Sequence, residues 1–151
     1  MATVQWPAPQ WRRHESLTNP GVDATMVRRG FDGDYTPVGI VTTDIIGPQE
    51  TLSDLGDRAA ERFAAQTGGA QRVRRTQTEP GAHAPGLSQM LVADLTVNGR
   101  TYALRHLDGF VGTLQADGSI AVVGISVTCT ADQLDVVGPE FGAVLTSVSA
   151  S

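Results

Sequence analysis

The chain has 151 residues, a formal net charge of -5 and a single cysteine. That length fits one domain, spanning 1–151, able to hide roughly 70% of its unfolded surface without disulfide or metal staples. The sixteen acids outnumber the eleven basic residues, which are all arginine and include the pairs Arg12-Arg13, Arg28-Arg29 and Arg74-Arg75 but no stripe; this excludes a nucleic-acid partner, because phosphate neutralisation dominates such binding.

No apolar run approaches the ~18 residues of a membrane span. Met1 to Trp6 lacks the basic and apolar regions of an export signal. The expected location is the cytoplasm for the chain as it stands, and outside it if a leader has been trimmed. The absence of lysine points to a GC-rich, actinobacterial coding sequence.

Residues 1–22 are expected to be irregular. Trp6-Pro7-Ala8-Pro9 cannot form a helix interior, since proline removes a donor and biases its predecessor to extended geometry. Trp6 and Trp11 are expected to anchor this segment on the core, with an aromatic contact to a partner as the alternative. Ala24–Arg29 reads as a short strand. In the loop Gly30–Pro37, Asp32 and Asp34 have the spacing that opens a calcium loop, but the twelfth position is Thr43. The motif fails, and the loop is read as a solvated turn. Val38–Ile46 is a strand that ends at Gly47-Pro48.

Thr51–Thr67 is the first helix. Thr51 and Asp54 form a capping box with Asp in place of Glu, and Leu52, Leu55, Ala59 and Phe63 recur at helical spacing. Gly68-Gly69 ends it. Gln71–Thr78 is a strand expected to turn Val73 inward and an arginine-rich side outward. Arg72, Arg74 and Arg75 are the densest basic patch, read as a charge-guarded edge strand or as a contact for an acidic partner. His83 lies in the loop from Glu79 to Gly86 without a second ligand in register, so no metal site is expected.

A meander follows. Leu87–Val97 and Arg100–Leu114 meet at Asn98-Gly99, a strong signal for a two-residue hairpin turn. Ala116-Asp117-Gly118 turns the chain into Ser119–Thr130. Ile120–Ile125 is apolar at both parities, as in a strand covered on both faces. Tyr102, Leu104 and His106 share one face of the middle strand, and Ala103, Arg105 and Leu107 share the other. Cys129 reads as a small buried side chain. Thr130-Ala131-Asp132-Gln133 is a capping box, and apolar residues at spacings of three or four run from Leu134 to Val148. Pro139 is expected to split this run into a turn at 131–137, a kink at Gly138 and a helix Pro139–Val148.

This order of elements resembles the PsbP-like superfamily, in particular the LpqN/LpqT-type proteins of actinobacteria. The resemblance rests on Thr128-Cys129-Thr130-Ala131, Pro139-Glu140-Phe141, Leu145-Thr146-Ser147-Val148 and the hairpin Asn98-Gly99-Arg100. It implies an α+β fold: an α/β/α sandwich whose central antiparallel sheet has about six to seven strands, with helices on both faces. It also implies a non-enzymatic binding or accessory role, and it supplies no catalytic motif.

The leading functional expectation is a protein-binding adaptor linked to a secretion or cell-envelope system, with no cofactor. The alternative is a carrier of a small apolar or lipid-like ligand in a cleft beside the sheet. Trp11, Tyr35, Tyr102 and His106 are the candidate lining of such a cleft, and Arg72, Arg74 and Arg75 the candidate charged contact. His106 with Asp108 is the one local acid–base pair, and no nucleophile can be tied to it from the sequence.

Overall fold

Two tight turns set the register of the sheet. Asn98 and Gly99 both have positive φ, 51° and 79°, as a two-residue turn joining twisted strands requires. Gly118, φ 87°, makes the second reversal. The computed structural model describes residues 2–14, 21–78 and 84–150. His83 and most of the loop around it lie outside the described residues.

The strands are β1 (Ala2–Thr3), β2 (Trp11–Arg13), β3 (Val22–Arg28), β4 (Val38–Ile46), β5 (Gln71–Gln77), β6 (Gly86–Val97), β7 (Arg100–Leu114), β8 (Ile120–Thr130) and β9 (Ser149–Ala150). Helix α1 (Leu52–Thr67) joins β4 to β5, and α2 (Leu134–Ser147) follows β8. Seven strands form one antiparallel sheet in the order β2-β3-β4-β8-β7-β6-β5, and β1 pairs separately with β9. The expected α+β architecture is present, with α1 and α2 on opposite faces.

Strand parity assigns the faces. Val123, Ile125, Val127 and Cys129 of β8 join Leu107 of β7 and Val137, Phe141 and Val144 of α2 in one core. Val122 and Phe110, of the other parity, pack with Leu52, Leu55 and Ala59 of α1. The approach of α2 is close enough to require Gly109 beneath it: a Cβ there would lie 2.6 Å from Leu145 Cδ1. Cys129 is fully buried, and burial pushes its thiol up to about 12, against a small opposing effect of Arg105.

Three local expectations are corrected. The N-terminal segment contains an edge strand, β2, because Trp11 enters the α2-side core and its neighbours pair with β3. Val73 points outward: a bulge between Arg72 and Arg74 shifts the pairing with β6, leaving Val73 48% exposed and placing Arg72 and Arg75 on the same face. The C-terminal run is a single helix through Pro139. Its apolar stripe stays in contact with the sheet on both sides of the proline, and Gly138, without a Cβ, relieves the crowding proline imposes on its predecessor. The Thr130–Gln133 box does form: Gln133 N–H donates to Thr130 Oγ1 (3.3 Å) and Thr130 N–H to Gln133 Oε1 (3.0 Å). It closes the turn that leads into α2.

An ion pair ties α2 to the N-terminal strands. Arg28 donates from Nε and Nη2 to the two carboxylate oxygens of Glu140 at 2.7 and 2.9 Å, and Trp11 Nε1–H adds a third bond at 2.8 Å. The Arg28 bonds hold the Glu140 carboxyl below its usual range, against the opposing effect of burial and with help from Trp11. Glu140→Ala is expected to cost about 3 kcal/mol in a urea titration, since it leaves Arg28 buried and unpaired; Glu140→Gln, which keeps an acceptor, should cost less. Cys129 should resist a thiol reagent in the folded protein and react at once in denaturant, as measured by absorbance of the released chromophore.

Candidate functional site

Helix α1 leans over β6 and β7 and leaves β4 and β8 less covered on its side of the sheet. Thr51 caps it reciprocally with Asp54, the side chains accepting at 3.2 and 2.9 Å. Two rows of its side chains line a cavity of about 520 Å³ between the helix and the sheet. Leu55, Ala59 and Phe63 form the deep, buried row; Arg58, Arg62 and Gln66 form the exposed row at the rim. The opposite wall is Val22. A register shift between Val22 and Ala24 puts Val22 opposite Thr42, on the groove side, while Ala24 lies opposite Val41 on the α2 side.

The floor is polar. Asp108 is 0% exposed. Its Oδ1 accepts from His106 Nε2 (2.9 Å) and Ser126 Oγ (2.6 Å), and its Oδ2 accepts from Gln89 Nε2 (2.9 Å). Gln89 also donates to the Gly56 carbonyl of α1 at 2.8 Å. Gln89 Oε1 accepts from Arg75 Nε and Nη2 (3.1 and 2.7 Å), and Arg75 reaches Ser53 (2.9 Å) and Asp57 (2.8 Å). The network therefore runs from the middle of the sheet to the outside of α1. Gly56 lets the helix come this near, because a Cβ there would lie 3.0 Å from both Arg75 Nη2 and Gln89 Oε1.

Burial drives the Asp108 carboxyl up, but the hydrogen bond and charge of His106, with the bonds of Gln89 and Ser126, outweigh it and hold the group below its ordinary value. An ionised Asp108 requires the proton on His106 Nε2. In the neutral ring Nδ1 then accepts from the Thr128 hydroxyl, 2.8 Å away. Phe63 stacks on the imidazole at 4.6 Å between centroids.

Thr128, His106 and Asp108 thus stand in the order hydroxyl, imidazole, carboxylate. A nucleophile there would also need donors for the developing oxyanion. Thr128 lies within a strand paired on both sides, opposite Val38 and His106, so the surrounding amides belong to the ladder. Ser126, which lines the cavity with Thr42 and Thr43, gives its proton to Asp108 and not to the imidazole. The arrangement is a hydrogen-bonded platform, and among the described residues no buried side-chain polar atom lacks a partner.

Of the residues singled out from sequence, His106 lies in the groove. Trp11 is on the other face, 4.6 Å from Trp6 and bonded to Glu140. Tyr35 and Tyr102 pair at 5.6 Å beside Phe63, Leu91 and Leu104, outside the cavity lining. Arg72 and Arg75 both reach Asp57, at 3.4 and 2.8 Å. Arg74 pairs with Met90, on the face away from α1. The structure therefore does not gather these seven residues into one site. Sequence reasoning missed Gln89, Ser126 and Thr128, although the two turns set a register that places Gln89, Asp108 and Ser126 in one row and His106 beside Thr128.

Both Asp108 and Glu140 have folded values below the unfolded ones. Their stabilisation is complete at neutral pH and is lost as pH falls through the folded values, below about 4. Asp108→Asn should flatten the acid-side slope of unfolding free energy against pH, measured by urea titration between neutral and acid pH. An unchanged slope would show that the carboxylate is not held ionised.

No family model matches the sequence, and no curated protein matches it by sequence. The fold does match solved structures. LpqN of Mycobacterium tuberculosis, a protein involved in cell envelope biogenesis, superposes with a TM-score of 0.61 at 13% identity, over 99% of this chain and 83% of LpqN. The solution structure of cyanobacterial PsbP (CyanoP) from Synechocystis gives 0.59 at 19% identity, over 99% of this chain and 86% of that one. The fold expected from the sequence resemblance is therefore present, and at these identities the likeness is one of fold.

Proposed function

We propose that this chain, which carries the PsbP/LpqN-like fold, is a non-enzymatic binding protein of the accessory kind, and that its binding site is the groove between α1 and strands β3 and β4. The observation that carries this reading is the cavity of about 520 Å³, with a buried apolar row above a polar floor. That volume falls within the range of small-molecule sites, which are mostly apolar with a few placed polar groups. The floor holds its hydroxyls and imidazole in bonds that position them without freeing a nucleophile. The involvement of LpqN in cell envelope biogenesis supports a role for this chain in an envelope or secretion system.

A protein-adaptor reading has a separate support. Ile45 stands 69% exposed near one end of the sheet, on the face opposite the α1-side residue Ile46, as an apolar side chain for a partner to cover.

Native mass spectrometry of the chain purified from its own host is expected to show a small-molecule adduct. Thr42→Phe, which fills the half-buried floor, should remove the adduct without changing the melting temperature. A clean apo mass would overturn the ligand reading. If affinity capture at native levels also returned no partner, the binding role would fall with it.

A further inference from the structure

The α1 wall of the groove is ordered by polarity. Leu55, Ala59 and Phe63 recur at four-residue intervals deep in the cavity, and Arg58, Arg62 and Gln66 recur at the same interval along the rim. Successive members of each row lie one turn apart, roughly 6 Å. The rim row carries only cationic or amide side chains. Arg58 shares its charge with Glu50 at 3.2 Å, and Arg62 has no ion pair among the described residues.

The acids of the groove do not cancel this row. Asp108 is buried and saturated by three donors. Asp44 stands across the floor on β4, with one oxygen taken by the Ile45 amide at 2.8 Å. The positive edge and the apolar row therefore run side by side along one helix, and the two carboxylates of the cavity lining, Asp44 and Asp108, belong to the sheet; Glu50, outside the lining, takes part of the Arg58 charge.

We propose that the groove takes an elongated organic anion: an apolar body laid on Leu55, Ala59 and Phe63, with a carboxylate or phosphate head on Arg62 and Arg58. This rests on the binding role given above and names its ligand class. A guanidinium favours either oxyanion through paired N–H donors, and the cavity volume accommodates an eight-carbon chain.

The test is a chemical-shift titration of the full chain with four probes of equal chain length: octanoate, octyl phosphate, octylammonium and octanol. Octanoate, octyl phosphate or both are expected to shift the resonances of Leu55, Ala59 and Phe63. Whichever anion binds more tightly identifies the head group as carboxylate or phosphate. Arg62→Glu should weaken that binding about tenfold with an unchanged melting temperature, and Arg62→Gln should weaken it less.

Equal binding of octylammonium or octanol, or no effect of Arg62→Glu, would overturn the anion assignment and leave the groove as a binding site. No shift at the groove with any probe would also overturn it. The host-purified adduct decides whether the chain carries a small molecule at all, so the two readings fail separately.

Discussion

A carboxylate sealed inside the sheet governs the α1 side of this molecule. Asp108 is fully buried, and an unpaired charge there would not be tolerated. His106, Ser126 and Gln89 satisfy it, and two of the three are fixed in turn. Gln89 is held by Arg75 and the Gly56 carbonyl, and His106 by Thr128 and the face of Phe63. Meeting the needs of one buried group thus seats α1 and levels the floor of the groove beneath it. The same polar row separates the two apolar clusters on that face, one around Phe110 and Leu55 and the other around Phe63, Leu91 and Leu104.

The two faces of the sheet do different work. The α2 side is dry and continuous: β8 presents Val123, Ile125, Val127 and Cys129, and α2 answers with Val137, Phe141 and Val144. Its main polar feature is the Arg28–Glu140–Trp11 clamp, which joins the first strands to the last helix. The α1 side spends its hydrogen bonds on a shaped surface. One strand, β8, serves both purposes by alternating apolar residues on one parity with Gly124, Ser126 and Thr128 on the other.

Much of the scaffold was legible because its signals are local. Asn98-Gly99 fixes a turn through backbone sterics, the Thr51 box fixes a helix start, and two-sided apolar runs mark central strands. The errors came where a tertiary contact overrode a local preference. Pro139 stays within one helix because the stripe on both sides of it packs on the sheet. Val73 faces out because a bulge carries two arginines to the α1 side, where Asp57, Ser53 and Gln89 receive Arg75. The groove was only partly legible. His106 and its face could be read from alternation, whereas Ser126 and Thr128 are ordinary strand residues until the register sets them beside it. Trp11, an obvious candidate by residue type, packs on the opposite face as core.

The pairing of β4 with β8 has a consequence for how this protein comes into being. From Val38 opposite Thr128 to Ile46 opposite Ile120, the centre of the sheet joins segments separated by α1 and three further strands. Such a seam closes late, because its long loop must be ordered before the contacts can form. On a ribosome β4 emerges early and waits for β8 until most of the chain has been made. The groove lies across that seam, with Thr42 on one bank and Ser126 on the other. The two banks of the groove therefore come together only once β8 has been made and paired with β4.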